Sequence, residues 1–182
     1  MKRKLIFAGS GGQGVLMMAN LISNAAIDNG LNAVMSQTYG IEQRGGDCTA
    51  YVVLSDQPIG SPIVENDADI CVIMSGSMLE AHIDAIQPRG TMVLNSSLIR
   101  NIPDRKNIRY ITVPATDLAN KVGDIRYANM VAIGAMIADT QLIEPKLVLE
   151  ALDKFMEGKK KTLHEANQKA FEQGIQWIRR NK

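Results

Sequence analysis

Gly9-Ser10-Gly11-Gly12-Gln13-Gly14 is the string in this chain with the most chemistry to offer. Its glycines permit a tight turn and bring the backbone close to a ligand, and an apolar run begins at once with Val15. If that run is a helix, its first N–H groups lie open to phosphate or another anion. A purely architectural turn fits the same residues. The string is not a Walker A loop, because the Lys and Ser or Thr required after it are missing. Gly9, Gly11 and Gly14 match the spacing of the dinucleotide fingerprint, but Met35-Ser36-Gln37 stands where a ribose-binding acid is expected, which argues against NAD.

Tyr39-Gly40-Ile41-Glu42-Gln43-Arg44-Gly45-Gly46 is the second constellation. Gly40, Gly45 and Gly46 let the chain bend sharply, and Glu42 and Arg44 put opposite charges into the bend. The planar fork of Arg44 suits a phosphate, a substrate carboxylate or an acidic side chain of a partner. An internal Glu42–Arg44 ion pair is the alternative. Ser75-Gly76-Ser77 and Asn95-Ser96-Ser97 follow apolar strand candidates, so their polar groups either line the same crevice or cap helices. Asn129 precedes an apolar helix and reads as its cap or as a hydrogen-bonding group at a subunit boundary.

The residues that are scarce limit the mechanism further. His82 and His164 are the only histidines, both expected on surface helices, with no nucleophile motif nearby. Cys48 and Cys71 are the only cysteines, so one copy of the chain cannot supply a four-cysteine iron–sulfur or zinc site. No catalytic residue and no metal site is assigned. The ten methionines and lone Trp177 read as packing groups.

Strands are expected over residues 5–8, 33–35, 49–54, 70–74, 91–94 and 108–113. Helices are expected over 15–27, 78–86, 114–120, 130–138, 144–155 and 162–179. This alternation predicts an α/β fold, a doubly wound, mainly parallel sheet with helices on both faces, Rossmann-like, which places the glycine loops at the carboxyl ends of strands. The 182 residues suit one domain spanning 1–182. Hydrophobic residues at 46% and charged residues at 21% suit a folded chain. A formal net charge of +1 gives no field for nucleic acid. The apolar run at 5–8 is too short for a signal-peptide core, and no run approaches the ~18 residues of a membrane span. The expected setting is the cytoplasm, away from membranes, with both thiols reduced.

The two glycine strings in this order, followed by Asn129-Met130 and Gly134, resemble the gamma subunit or gamma domain of 2-oxoacid:ferredoxin oxidoreductases. The resemblance covers nearly the whole chain, with one departure at Ile41, where many relatives carry proline. It implies a multisubunit enzyme that decarboxylates a 2-oxoacid on thiamine diphosphate, passes electrons through iron–sulfur clusters to ferredoxin and gives the acyl group to coenzyme A. Thiamine diphosphate and Mg would belong to alpha and beta subunits, and the clusters to a ferredoxin-like subunit. The gamma component is implied to be a noncatalytic doubly wound domain that packs on the catalytic core. Its implied coenzyme A contacts are Gly9, Gly11, Gly12, Gln13, Gly14, Gly40, Glu42, Arg44, Gly45 and Gly46. A short gamma chain without a fused ferredoxin-like domain resembles the 2-oxoglutarate type more than the pyruvate type. A free-standing nucleotide- or phosphate-binding module is the rival reading, with a self-contained NAD-dependent oxidoreductase behind it. A chain that normally lives in a complex should expose apolar patches, which would also let isolated copies pair as a homodimer.

Overall fold

The computed structural model describes residues 1–40 and 46–181. Six strands form one sheet: β1 (Lys2–Ser10), β2 (Asn32–Tyr39), β3 (Asp47–Ser55), β4 (Ala68–Ile73), β5 (Ile86–Asn95) and β6 (Arg109–Val113). The helices are α1 (Val15–Asp28), α2 (Gly76–His82), α3 (Ala115–Val122), α4 (Ala128–Thr140), α5 (Pro145–Phe155) and α6 (Lys161–Asn181). The strand order is β2-β3-β1-β4-β5-β6. β1, β4, β5 and β6 pair in parallel, whereas β3 pairs antiparallel with both β1 and β2.

The sheet is therefore mixed. The reversal at β3 follows from chain length: β2 and β3 are joined by residues 40–46, too few for the crossover of a dozen or more residues that parallel neighbours need. A hairpin is what so short a connection permits, with Asn32 opposite Ser55 at its base and Tyr39 opposite Cys48 near its tip.

Alternation along β1 divides the core. Leu5 and Phe7 face one side, with residues of α1, α3, α4, α5 and α6, while Ile6 and Ala8 face the other, with Met78 and Leu79 of α2. Helices thus lie on both faces, but unequally. α4 is buried from Ala128 through Ile137, wedged between the sheet and α6. Two glycines permit that wedge: a Cβ on Gly134 would lie 2.0 Å from the Phe171 carbonyl oxygen, and one on Gly174 would lie 2.0 Å from that of Val131.

The expected elements are all present, with shifted ends. β5 starts at Ile86, not at 91, and α2 ends at His82, not at 86. Pro88-Arg89-Gly90 bulges within the strand without ending it: β4 moves from Ala68 to Ile70 while β5 moves from Ile86 to Thr91.

Candidate functional site

The carboxyl ends of β1, β4 and β5 lie side by side at one end of the sheet. After β1 the chain leaves through α1 on the thickly covered face, and after β4 it leaves through α2 on the other, so the connections diverge between these adjacent strands. Such a divergence leaves room outside the strand ends for a ligand.

The first glycine string lies at this point. Gln13 Nε2 donates to the Met74 carbonyl at 3.3 Å, and its Oε1 accepts from Ser10 N at 2.7 Å, which ties the end of β1 to the end of β4. Gly9 makes room for that side chain, since a Cβ there would lie 2.6 Å from Gln13 Oε1. Gly14 adopts φ 73°, in the left-handed region, and no side chain caps the helix it opens. The first turn of α1 therefore offers N–H groups with no intrahelical partner. A Cβ on Gly14 would come within 2.3 Å of Asn129 Nδ2.

The structure brings the second string to the first. Gly11 N donates to the Gly46 carbonyl at 2.8 Å, and Gly40 N donates to the Asp47 carbonyl at 2.7 Å. The hydrogen bond from Gly11 thus sets Gly46, just before β3, against the first loop. Ile41, Glu42, Gln43, Arg44 and Gly45 lie outside the described residues, and with them the expected roles of Glu42, Arg44 and Gly45.

Hydroxyls continue the rim. Ser10 Oγ donates to Ser75 Oγ, Ser75 and Ser77 exchange a hydrogen bond, and Ser77 Oγ donates to Asp47 Oδ1, each at 3.4 Å. Ser75 stands at the N-cap of α2 but makes no capping bond with its side chain, which bonds to Ser10 and Ser77 instead. Ser97 does cap a helix, though a distant one: its Oγ accepts from Asp117 N of α3 at 3.1 Å. Asn95 is fixed by Thr116, whose hydroxyl accepts from Asn95 Nδ2 at 2.9 Å.

Two expectations need correction. Asn129 is not the cap of α4, which begins at Ala128; it is 3% exposed and donates from Nδ2 to Met17 Sδ at 3.4 Å, fastening α4 to α1 beside Gly14. His82 is not on the surface. Its Nδ1 donates to the Met78 carbonyl at 3.0 Å, since a carbonyl only accepts, and its Nε2 shares a hydrogen bond of 3.2 Å with the Thr49 hydroxyl, a group that can donate or accept. Burial pushes its pKa down, against smaller upward pulls from the Met78 carbonyl and Asp47. Asp47 itself escaped the sequence reading, although its place directly after Gly46 was the available signal.

The site can receive an anion on backbone N–H groups and hydroxyls. It does not fit an iron–sulfur cluster: Cys48 lies on β3 and Cys71 on β4, with β1 between them, and burial raises both thiols, Cys71 to about 12. Among the described residues, no group of three or more His, Cys, Asp or Glu is placed to hold a metal. Among them too, no helix is long and apolar enough to cross a membrane.

The sequence profile of the family described as "Pyruvate ferredoxin/flavodoxin oxidoreductase" matches residues 4–177. The 2-oxoglutarate synthase subunit KorC of Methanothermobacter marburgensis is 37% identical over 159 residues, covering 84% of this chain and 85% of that one. The gamma subunit of the keto/oxoacid ferredoxin oxidoreductase of Geobacter sulfurreducens superposes with a TM-score of 0.82 at 27% identity, over 98% of this chain and 99% of that one. The 2-oxoglutarate:ferredoxin oxidoreductase of Magnetococcus marinus, solved with 2-oxoglutarate, coenzyme A and succinyl-CoA bound, shares the fold with a TM-score of 0.89 at 23% identity, over 98% of this chain and 31% of that one. The chain belongs to this family of 2-oxoacid:ferredoxin oxidoreductases, as a gamma subunit. That family is one of oxidoreductase complexes.

Proposed function

We propose that this chain is the noncatalytic gamma component of a cytoplasmic 2-oxoglutarate:ferredoxin oxidoreductase, folded as one domain over residues 1–182, and that its paired glycine loops help enclose coenzyme A. The observation that carries the ligand part is the uncapped N-terminus of α1, lying beside the Gly11–Gly46 hydrogen bond. Backbone N–H groups there suit a phosphate of coenzyme A. Gln13, Ser10, Ser75 and Ser77 stiffen the rim, and Arg44, carried on the same hairpin turn, supplies a guanidinium. The divergence of the chain between β1 and β4 supports a doubly wound, Rossmann-like reading of the parallel half of the sheet.

The similarity to KorC favours 2-oxoglutarate as the 2-oxoacid. Thiamine diphosphate with Mg would be held by alpha and beta subunits and the iron–sulfur clusters by a ferredoxin-like subunit. Affinity purification of the chain from its own cell extract, followed by mass spectrometry and a dye-reduction assay dependent on 2-oxoacid and coenzyme A, tests this. Copurified thiamine-binding and cluster subunits, with activity greatest on 2-oxoglutarate, are the expected result. Activity greatest on another 2-oxoacid would overturn the substrate assignment. Coenzyme A affinity left unchanged by Arg44→Ala in the assembled enzyme would remove the arginine from the site.

A further inference from the structure

A cavity of about 500 Å³ lies at the opposite end of the sheet and has no part in the reading above. It sits at the amino ends of β1, β4 and β6, against the bulge of β5 and the last turn of α4. Arg3, Arg89 and Arg109 all line it, together with Asp69 and Asp139.

Both carboxylates are already engaged. Asp69 accepts from Arg3 Nη1 at 3.0 Å, from Lys4 N at 2.8 Å and from Gln87 Nε2 at 2.9 Å. Asp139 is paired with Arg109. The arginines keep donors to spare, because a guanidinium carries five N–H bonds. Arg3 commits Nη1 alone, and Arg109 commits Nη2 to Asp139 and to Thr91 Oγ1. The side chains of Arg3 and Arg109 are 49% and 52% exposed, so their remaining donors are within reach of a solute. Arg89 makes no side-chain hydrogen bond or ion pair among the described residues. Three guanidiniums against two carboxylates leave one positive charge uncompensated at the cavity.

Arg89 is delivered there by the bulge in β5. Residues 87–90 loop out between the pairs Ala68–Ile86 and Ile70–Thr91. Arg89 takes φ 68°, a left-handed conformation uncommon away from glycine, and its N donates to the Asn107 carbonyl at 2.6 Å. The bulge closes only on a glycine at 90, where a Cβ would lie 2.5 Å from Ile86 Cγ1 and 2.9 Å from the Gln87 carbonyl oxygen. A regular strand would have turned position 89 elsewhere.

We propose that this cavity is a second anion site, binding a carboxylate- or phosphate-bearing small molecule, with Arg89 as its principal ligand and Arg3 and Arg109 as further donors. The site is independent of the gamma-subunit assignment and of the glycine loops. Titration calorimetry on the full chain in Tris chloride tests it, with inorganic phosphate and malonate as separate probes and Arg89→Gln and Arg100→Gln as variants. Arg100 is exposed and does not line the cavity.

Saturable binding of at least one probe, weakened about tenfold or more by Arg89→Gln and left intact by Arg100→Gln, is expected. The tighter probe names the ligand group. The unfolding midpoint of Arg89→Gln should match that of the parent chain, since its side chain holds nothing inside the fold. Failure of both probes to saturate, full affinity in Arg89→Gln, or equal weakening in Arg100→Gln would each overturn the site, the last by showing diffuse surface attraction.

Discussion

Gly134 faces α6 where the two helices meet, and the space for even one methyl group is missing. A Cβ there would stand 2.0 Å from the Phe171 carbonyl oxygen, 2.9 Å from its carbon and 3.3 Å from Ile175 N. All three obstacles are backbone, so no rotamer change relieves them. Carbon and carbonyl oxygen settle no closer than roughly 3.3 Å, which forces α4 and α6 apart by about 1 Å in Gly134→Ala. The separation loosens Val131, Ala135, Phe171 and Ile175, all buried at this seam. Overpacking of this kind costs about 1–3 kcal/mol, and an obstacle made of backbone belongs at the upper end. The better helix propensity of alanine returns about 1 kcal/mol. A net loss of about 2 kcal/mol follows, or roughly 4–8 °C in Tm for a chain of this length. Thermal melts followed by circular dichroism measure it directly. Adding Gly174→Ala should cost less than the sum of the two single changes, because one separation of the helices serves both. A midpoint for Gly134→Ala equal to or above that of the parent chain would refute the reasoning.

Gly14→Ala must hold a left-handed backbone at φ 73° and displace Asn129, so a loss of about 1–2 kcal/mol is expected in urea unfolding; an unchanged midpoint would show that the turn relaxes freely. Burial lowers the pKa of His82, so the folded chain takes up its proton less readily than the unfolded chain. Stability from this residue is therefore present above about pH 6.5 and lost as pH falls through the lowered value. The parent chain should lose more stability between pH 7.5 and 5.5 than His82→Gln does, and parallel curves would contradict this. Cys71, raised to about 12, and buried Cys48 should react slowly with a thiol reagent at pH 8 and both react fully on unfolding; rapid labelling of the folded chain would show that the strands open.

The positions of the elements were legible because apolar runs and glycine or proline punctuation fall at nearly every boundary. Val15 to the Asn29-Gly30 stop was read almost to the residue, since Gly30 takes the positive φ that a helix end favours. Strand direction was harder. Residues 49–54 are buried apart from half-buried Tyr51, so their apolar character gives no sign that β3 runs backwards. The short connection over 40–46 carried that information. His82 was misplaced for a different reason: its exposed neighbours Glu80, Ala81 and Asp84 suggest a solvent face, whereas the ring meets Thr49 on a strand distant in sequence. The glycine strings were visible as loops, and their hydrogen bond through Gly11 and Gly46 is a tertiary fact that neither string announces alone.

The hairpin of β2 and β3 also governs how this site can change over evolutionary time. A loop between two parallel strands is pinned at both ends by the sheet, but a hairpin is a tongue whose tip can be moved outward. Lengthening each arm by one residue would advance the tip by about 3.4 Å and invert which face each new side chain presents, whereas adding two to each arm advances it by about 6.8 Å and preserves the facing. The position of the ends of β2 and β3 is thus adjustable in discrete strides, while Gly9 through Gly14, anchored to β4 through Gln13, stay where they are. A fixed loop beside an extensible hairpin can be retuned one part at a time, without rebuilding the sheet.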